Sequence, residues 1–143
     1  MAFNKGDGGI QYARRKVLSF GFADVIAGGS GVYIGMEDLP PTAIVLAGGI
    51  MITQVFNSTS SDTFTIRDSD GTSYATGISG QSLGYKTLTA TGTLASLLTD
   101  MTVGITWTPG SGTPTTGFGY LVIDYIVPNL ADEYYTLADP IAP

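Results

Sequence analysis

From Met101 to Thr108 the chain alternates without a fault: Met101, Val103, Ile105 and Trp107 fall on one side, Thr102, Gly104, Thr106 and Thr108 on the other. A period of two places successive side chains on opposite faces of an extended backbone, so this segment reads as a strand buried on one side. The same grammar recurs. Leu18, Phe20 and Phe22 oppose Ser19, Gly21 and Ala23, and Ile50 and Ile52 follow a Gly48-Gly49 break inside the apolar run Ala43 to Phe56. Phe64 and Ile66 are expected to point inward, and Asp70-Gly71 has hairpin-turn chemistry with Thr72 to Thr76 pairing back.

The punctuation between these runs is equally consistent. Gly28-Gly29-Ser30-Gly31 is a loop before a short strand around Val32 to Met36, and Leu39-Pro40-Pro41 is a break that no central strand tolerates. Pro109 to Pro114 is another loop. It leads into Phe118 to Val127, which is apolar on both faces apart from Asp124 and therefore suits a strand with a core on one side and a second surface on the other. Leu94 to Leu98 has room for one helical turn, and Gly77 to Gly92 alternates weakly at Tyr85, Thr87 and Thr89. About eight short strands with almost no helical period predict an all-β antiparallel sandwich, with the jelly roll as the favoured winding. A chain of 143 residues fits one such domain, burying about 68 to 70% of its unfolded surface.

Charge divides the chain. Lys5, Arg14, Arg15 and Lys16 against Asp7 give residues 1–16 a formal +3, while residues 17–143 carry a formal −9. We therefore expect three parts: an extended, basic, Gly-rich arm (1–16), a β-sandwich (17–127) and an extended acidic tail (128–143). The arm has no sustained periodicity, so its order is expected to depend on a partner surface. Only 13% of residues are charged, about half the usual share, which fits a surface that meets other subunits.

Several chemistries are excluded or have a plainer reading. Without Cys or His there is no thiolate site, no Ser-His-Asp triad and no imidazole ligand. Ala13 to Leu18 superficially resembles a twin-arginine export signal, but Asp24 and the glycines at 28, 29 and 31 break the apolar run that would follow. Aligning Gly71 to the glycine of a calcium loop puts Ile66 and Gly77 at ligand positions, so Asp68-Ser69-Asp70-Gly71 reads as a turn. Asn57-Ser58-Thr59 likewise reads as a turn rather than a glycosylation acceptor, and the glycine clusters lack the Gly-Lys-Ser/Thr of a phosphate loop. Glu37, Asp38, Asp100 and Asp124 show no pairing that marks a hydrolase. Neither catalytic residues, metal ligands nor a cofactor is expected. Four cations without interleaved aromatics make a poor nucleic-acid footprint, and no run approaches the roughly 20 apolar residues that cross a bilayer.

Leu39-Pro40-Pro41-Thr42-Ala43-Ile44-Val45, Gly48-Gly49 leading to Thr53-Gln54-Val55-Phe56-Asn57, and Ser61-Asp62-Thr63-Phe64-Thr65-Ile66 together resemble small capsid-associated proteins of tailed bacteriophages. So do Val103-Gly104-Ile105-Thr106-Trp107-Thr108 and Pro114-Thr115-Thr116-Gly117 entering Gly119 to Val127, where Asp124-Tyr125 matches an acid followed by Tyr. The resemblance covers roughly residues 36 to 127. It implies a β-sandwich or jelly-roll head decoration (cement) protein, commonly trimeric, that sits on the outer capsid and clamps neighbouring major capsid protein subunits.

From charge and pattern we expect Phe3, Lys5, Tyr12, Arg14, Arg15 and Lys16 to form a capsid-contact arm. Trp107, Phe118, Tyr120, Val122, Asp124 and Tyr125 are expected at a subunit interface of a homotrimer in the virion. The alternative is a head-fibre or tail module that binds host glycans through its Trp and Tyr faces, with a secreted carbohydrate-active sandwich as a weaker third reading.

Overall fold

The computed structural model describes residues 13–40, 43–88 and 101–127. They form eight strands and one short helix: β1 (Arg14–Gly21), α1 (Phe22–Gly28), β2 (Tyr33–Leu39), β3 (Ile44–Gln54), β4 (Thr63–Asp68), β5 (Ser73–Ser79), β6 (Gly84–Thr87), β7 (Met101–Thr108) and β8 (Phe118–Ile126). Two four-stranded sheets result, ordered β1-β8-β3-β6 and β2-β7-β4-β5. The antiparallel sandwich expected from the alternation is present.

The strand order has a simple origin. A chain folded back once on itself at the β4–β5 turn pairs β4 with β5, β3 with β6, β2 with β7 and β1 with β8, and each of these antiparallel ladders exists. Rolling that long hairpin brings β8 beside β3 and β7 beside β4, which closes both sheets. At the tip, Asp68 accepts hydrogen bonds from the backbone N–H groups of Asp70 (3.0 Å) and Thr72 (2.9 Å) through Oδ1 and from the Tyr74 hydroxyl (2.8 Å) through Oδ2. Gly71 takes φ 101°, as a tight turn requires. The carboxylate oxygens are thus occupied by the turn itself.

Inward residues from both sheets meet in one core. Phe20, Phe56 and Phe64 form an aromatic triangle with centroid separations of 6.0, 5.2 and 5.0 Å. Gly80 and Gly117 make room for it: a Cβ at those positions would stand 2.6 Å from Phe64 and 2.4 Å from Phe56. Val45, Ile50, Ile52, Ile66, Val103, Ile105, Leu121 and Ile123 complete the interior.

Two segments differ from the sequence expectation. The alternation Leu18, Phe20, Phe22 suggests a strand continuing to Ala23, but the strand stops at Gly21 and Phe22–Gly28 is helical. Asp24 decides this locally, because its Oδ2 accepts the Gly21 N–H at 2.7 Å and satisfies a donor at the helix start. Val25 is then turned fully into the core. The second difference lies at the other end of β1. Arg14, Arg15 and Lys16, expected in the arm, belong to the sheet and pair with Tyr125, Asp124 and Ile123.

The expected bend in the long apolar run is real. The β3–β8 register shifts between Val45 and Ala47, and Gly48 has φ 148° with the Val122 carbonyl oxygen 2.1 Å from where a Cβ would stand. Only a residue without Cβ lets β8 approach this closely.

Candidate assembly surface

β8 alternates between a buried and a half-buried face along its whole length. Leu121, Ile123 and Tyr125 point into the core, so Tyr120, Val122 and Asp124 point outward. Antiparallel register carries that parity across the sheet, since residues directly opposite one another share a face. One outward row runs Ser19, Tyr120, Met51, Tyr85, and the next runs Val17, Val122, Gly49, Thr87. Tyr120 also packs edge-on against Phe118, ring centroids 5.4 Å apart. The result is a largely apolar strip on the outside of the sandwich, where Val17 is 56%, Tyr85 43% and Met51 36% exposed.

A third row places one ion pair at the end of this strip. Arg15 sits opposite Asp124 and clasps it through two hydrogen bonds, Nε to Oδ1 at 2.7 Å and Nη2 to Oδ2 at 2.9 Å. The hydrogen bond from Arg15 holds the Asp124 carboxyl below its usual range, and the guanidinium is raised in turn. Tyr85 is pushed up by burial first and then by the Asp124 charge. Lys16, on the opposite parity, reaches Glu37 of β2 at 3.3 Å and ties the edges of the two sheets together.

The other sheet presents a different exterior. Thr63, Thr65 and Arg67 of β4 lie opposite Thr108, Thr106 and Gly104 of β7. The Tyr33 hydroxyl shares a 2.7 Å hydrogen bond with Thr102 Oγ1, and the Arg67 guanidinium lies 5.4 Å from the Tyr33 ring centroid. This face is polar and hydroxyl-rich, with no comparable row of exposed apolar residues among the described residues.

The expected interface set divides accordingly. Phe118, Tyr120, Val122 and Asp124 are together on the outer strip, whereas Trp107 and Tyr125 are core residues, 5% and 3% exposed. Trp107 faces inward because its indole Nε1 donates to the buried Asp62 Oδ1 at 2.8 Å. Val17, Met51 and Tyr85 were absent from that set; the signal for them is an apolar residue at outward parity, as Met51 is between the inward Ile50 and Ile52. Of the arm residues, Phe3, Lys5 and Tyr12 lie outside the described residues, as do the tail 128–143 and Leu94 to Leu98. Arg15 and Lys16 are engaged inside the chain, which leaves Arg14 exposed with no acidic partner among the described residues.

No cluster of three or more metal-ligating side chains occurs among the described residues. Asn57 acts as a clasp between loops: its Oδ1 accepts the N–H groups of Thr115 (2.7 Å) and Thr116 (3.0 Å), and its Nδ2 donates to Thr115 Oγ1 (2.9 Å).

No family model and no curated protein matches this sequence. Three solved structures share the fold. A chain of the cyanophage Pam1 capsid asymmetric unit superposes with TM-score 0.65 at 19% identity, covering 82% of this chain and 86% of that one. A chain from the acid-stable capsid of Helicobacter pylori bacteriophage KHP30 gives 0.57 at 15% identity, covering 83% and 91%. One from the capsid of Ralstonia phage GP4 gives 0.53 at 18%, covering 82% and 84%. Because the shared region spans more than four-fifths of both partners each time, the matched chains are of similar size to this one. At these identities the likeness is one of fold: the two-sheet sandwich described above also occurs in chains of three phage capsids.

Proposed function

We propose that this protein is a structural component of a phage virion that decorates the outer capsid and stabilises it by bridging major capsid protein subunits, without catalytic activity. The observation that carries the reading is the fold likeness to chains of three phage capsids over nearly the whole of each partner. The motif resemblance over residues 36 to 127 points the same way. The acids near the surface support it as well, since Asp124 and Glu37 are held by Arg15 and Lys16 rather than poised across a cleft.

Contact with the shell falls to the segment before β1 together with the first residue of that strand, with Phe3, Lys5, Tyr12 and Arg14 facing acidic patches of neighbouring subunits. Arg15 and Lys16 act instead inside the domain, fixing β1 so that the segment before it leaves from a defined place. Several weak exposed contacts, repeated over copies grouped as a homotrimer, add through avidity. Glycan binding is not favoured by a specific observation: Trp107, its best platform, is buried.

Capsids assembled without this chain provide the test. Purified protein is added back, bound copies per particle are counted, and genome release on heating is followed. Saturation at hundreds of copies with a raised release temperature is expected. Saturation at tens of copies, or micromolar glycan binding with no affinity for capsids, would overturn the reading.

A further inference from the structure

We propose that the chain's own C-terminal segment, centred on Tyr134 to Ala138, lies along the free edge of β1 in the seam between the two sheets. β1 and β2 are edge strands of different sheets. Between them opens a slot of about 450 Å³ lined by Val17 to Phe20, Asp24, Ile34 and Met36. Consecutive residues of β1 reach it, so the slot exposes the backbone edge of the strand rather than one face. Because the Phe22 N–H donates to the Gly117 carbonyl at 2.9 Å, the even-numbered residues of β1 turn their N–H and C=O groups toward β8, and Val17 and Ser19 turn theirs into the slot. Gly21, of the same parity, has its N–H taken by Asp24. No described group outside the ladder serves Val17 or Ser19. Leu18, Ile34 and Met36 form an apolar wall that is only partly buried, so an extended segment with apolar side chains at alternate positions satisfies both the edge and the wall.

The end of this chain fits in place, charge and pattern. β8 finishes at Ile126 and Tyr125 pairs with Arg14, so residues 128–143 leave beside the first residue of β1. Reaching the free side of β1 means crossing two strand spacings, roughly 10 Å, which Pro128 to Ala131 cover at about 3.3 Å per extended residue. Asp132 and Glu133 then arrive at Arg14, which has no acidic partner among the described residues. Tyr134-Tyr135-Thr136-Leu137-Ala138 is rich in strand formers and runs parallel to β1, with Tyr135 and Leu137 toward the slot and Thr136 and Ala138 outward. With Glu133 beside Arg14, Leu137 falls next to Leu18 and Ala138 next to Ser19, and Pro140 stops the run before Asp24. A tethered segment has an effective concentration in the millimolar range, so it prevails over a free peptide of equal fit. The contact needs one chain alone and stands apart from the capsid reading; a shell subunit competes with it for Arg14 only.

The test uses the full chain. Amide hydrogen exchange followed by NMR should be slow at Val17 and Ser19, and Leu137→Asp should speed both at least about tenfold while Leu121 and Ile123 keep their protection and the circular dichroism spectrum is unaltered. The natural chain has no cysteine, so a second readout is open. Ser19→Cys combined with Ala138→Cys should close a disulfide within one chain under mild oxidation of dilute protein, whereas Thr65→Cys combined with Ala138→Cys, on the opposite exterior, should not. Exchange at Val17 and Ser19 that is as fast in the natural chain as in Leu137→Asp, a Ser19→Cys/Ala138→Cys variant that stays reduced, equal closure in the Thr65→Cys control, or cross-links found only between two chains would each overturn the proposal.

Discussion

Asp62→Ala removes a carboxylate that is fully buried and accepts three hydrogen bonds: from Trp107 Nε1 at 2.8 Å, from Ser58 Oγ at 2.7 Å and from the Ser58 backbone N–H at 3.3 Å. Truncation strands the indole donor inside the sandwich and loosens a loop that is itself a junction. Within that loop Thr59 donates to the Ser111 carbonyl at 2.9 Å, and Gln81 donates to the carbonyls of Ser58 and Ser60. A buried unsatisfied donor costs about 1–3 kcal/mol, so the indole and the Ser58 groups together set the expected loss at about 3–5 kcal/mol. Against a native stability of about 5–15 kcal/mol this is a large fraction. Asp62→Asn keeps one acceptor for the indole but presents an amide to the Ser58 N–H, so its cost should be smaller, about 1–2 kcal/mol. Trp107 is the sole tryptophan and therefore reports on its own partner through fluorescence during urea unfolding. Combining Asp62→Ala with Trp107→Phe, followed by circular dichroism because the tryptophan is then gone, should give a loss that differs from the sum by more than about 0.5 kcal/mol. An Asp62→Ala loss below about 1 kcal/mol, or strict additivity in the double variant, refutes the argument that this carboxylate holds the indole in place.

The remaining expectations concern the edge pair, a buried phenol and the β3 bend. Because the folded Asp124 carboxyl is held low, the stability it contributes is present above the unfolded value of about 4 and is lost as pH falls through the lowered value. An NMR titration should find Asp124 ionising at higher pH in Arg15→Gln, and an unchanged titration counts against the clasp. Tyr74 is pushed up by burial and then by Asp68, so its contribution is complete below about pH 10 and is lost as pH rises beyond that. Spectrophotometric titration should show one phenol that ionises only as the protein unfolds, a step absent from Tyr74→Phe. Gly48→Ala should cost about 3 kcal/mol or more, since φ 148° and a carbonyl oxygen 2.1 Å from the new Cβ both oppose it. A calorimetric midpoint matching the natural protein would show that the backbone relaxes around the methyl group.

Much of this fold is legible in period and punctuation. Val103, Ile105 and Trp107 face inward as their spacing requires, Gly71 closes a hairpin, and Gly48 marks the bend. What period cannot reveal is which partner wins a side chain. Phe22 fits a strand by spacing, yet Asp24 captures the Gly21 N–H and starts a helix. Trp107 and Tyr125 satisfy any pattern for an aromatic interface, and both are drawn inside, the indole by a buried carboxylate in a separate segment. Arg15 and Lys16 look like free cations in a basic run because Asp124 and Glu37 are distant in sequence; the β1–β8 ladder and the meeting of the sheet edges bring them together. Long-range pairing, absent from any local window, decides these positions.

The scarcity of charge takes on a definite meaning once each charged group is placed. Among the described residues Asp62 and Asp68 serve the interior, Asp24 starts α1, and Arg15 with Asp124 and Lys16 with Glu37 are paired. Lys86 donates to the Ser82 carbonyl, and Arg67 covers Tyr33. Arg14, Asp38 and Asp70 complete the charged groups of the described residues, and the threonines of β4 and β7 supply the polar exterior on one side alone. The opposite exterior keeps its apolar rows although nothing inside the sandwich requires them: Val17 and Met51 turn away from the core. Replacing both with threonine preserves strand propensity and removes no core contact, so the unfolding free energy should stay within about 0.5 kcal/mol of the natural value while self-association falls. If stability falls with association, these side chains hold the sandwich itself together, and the apolar face has a structural rather than an intermolecular origin.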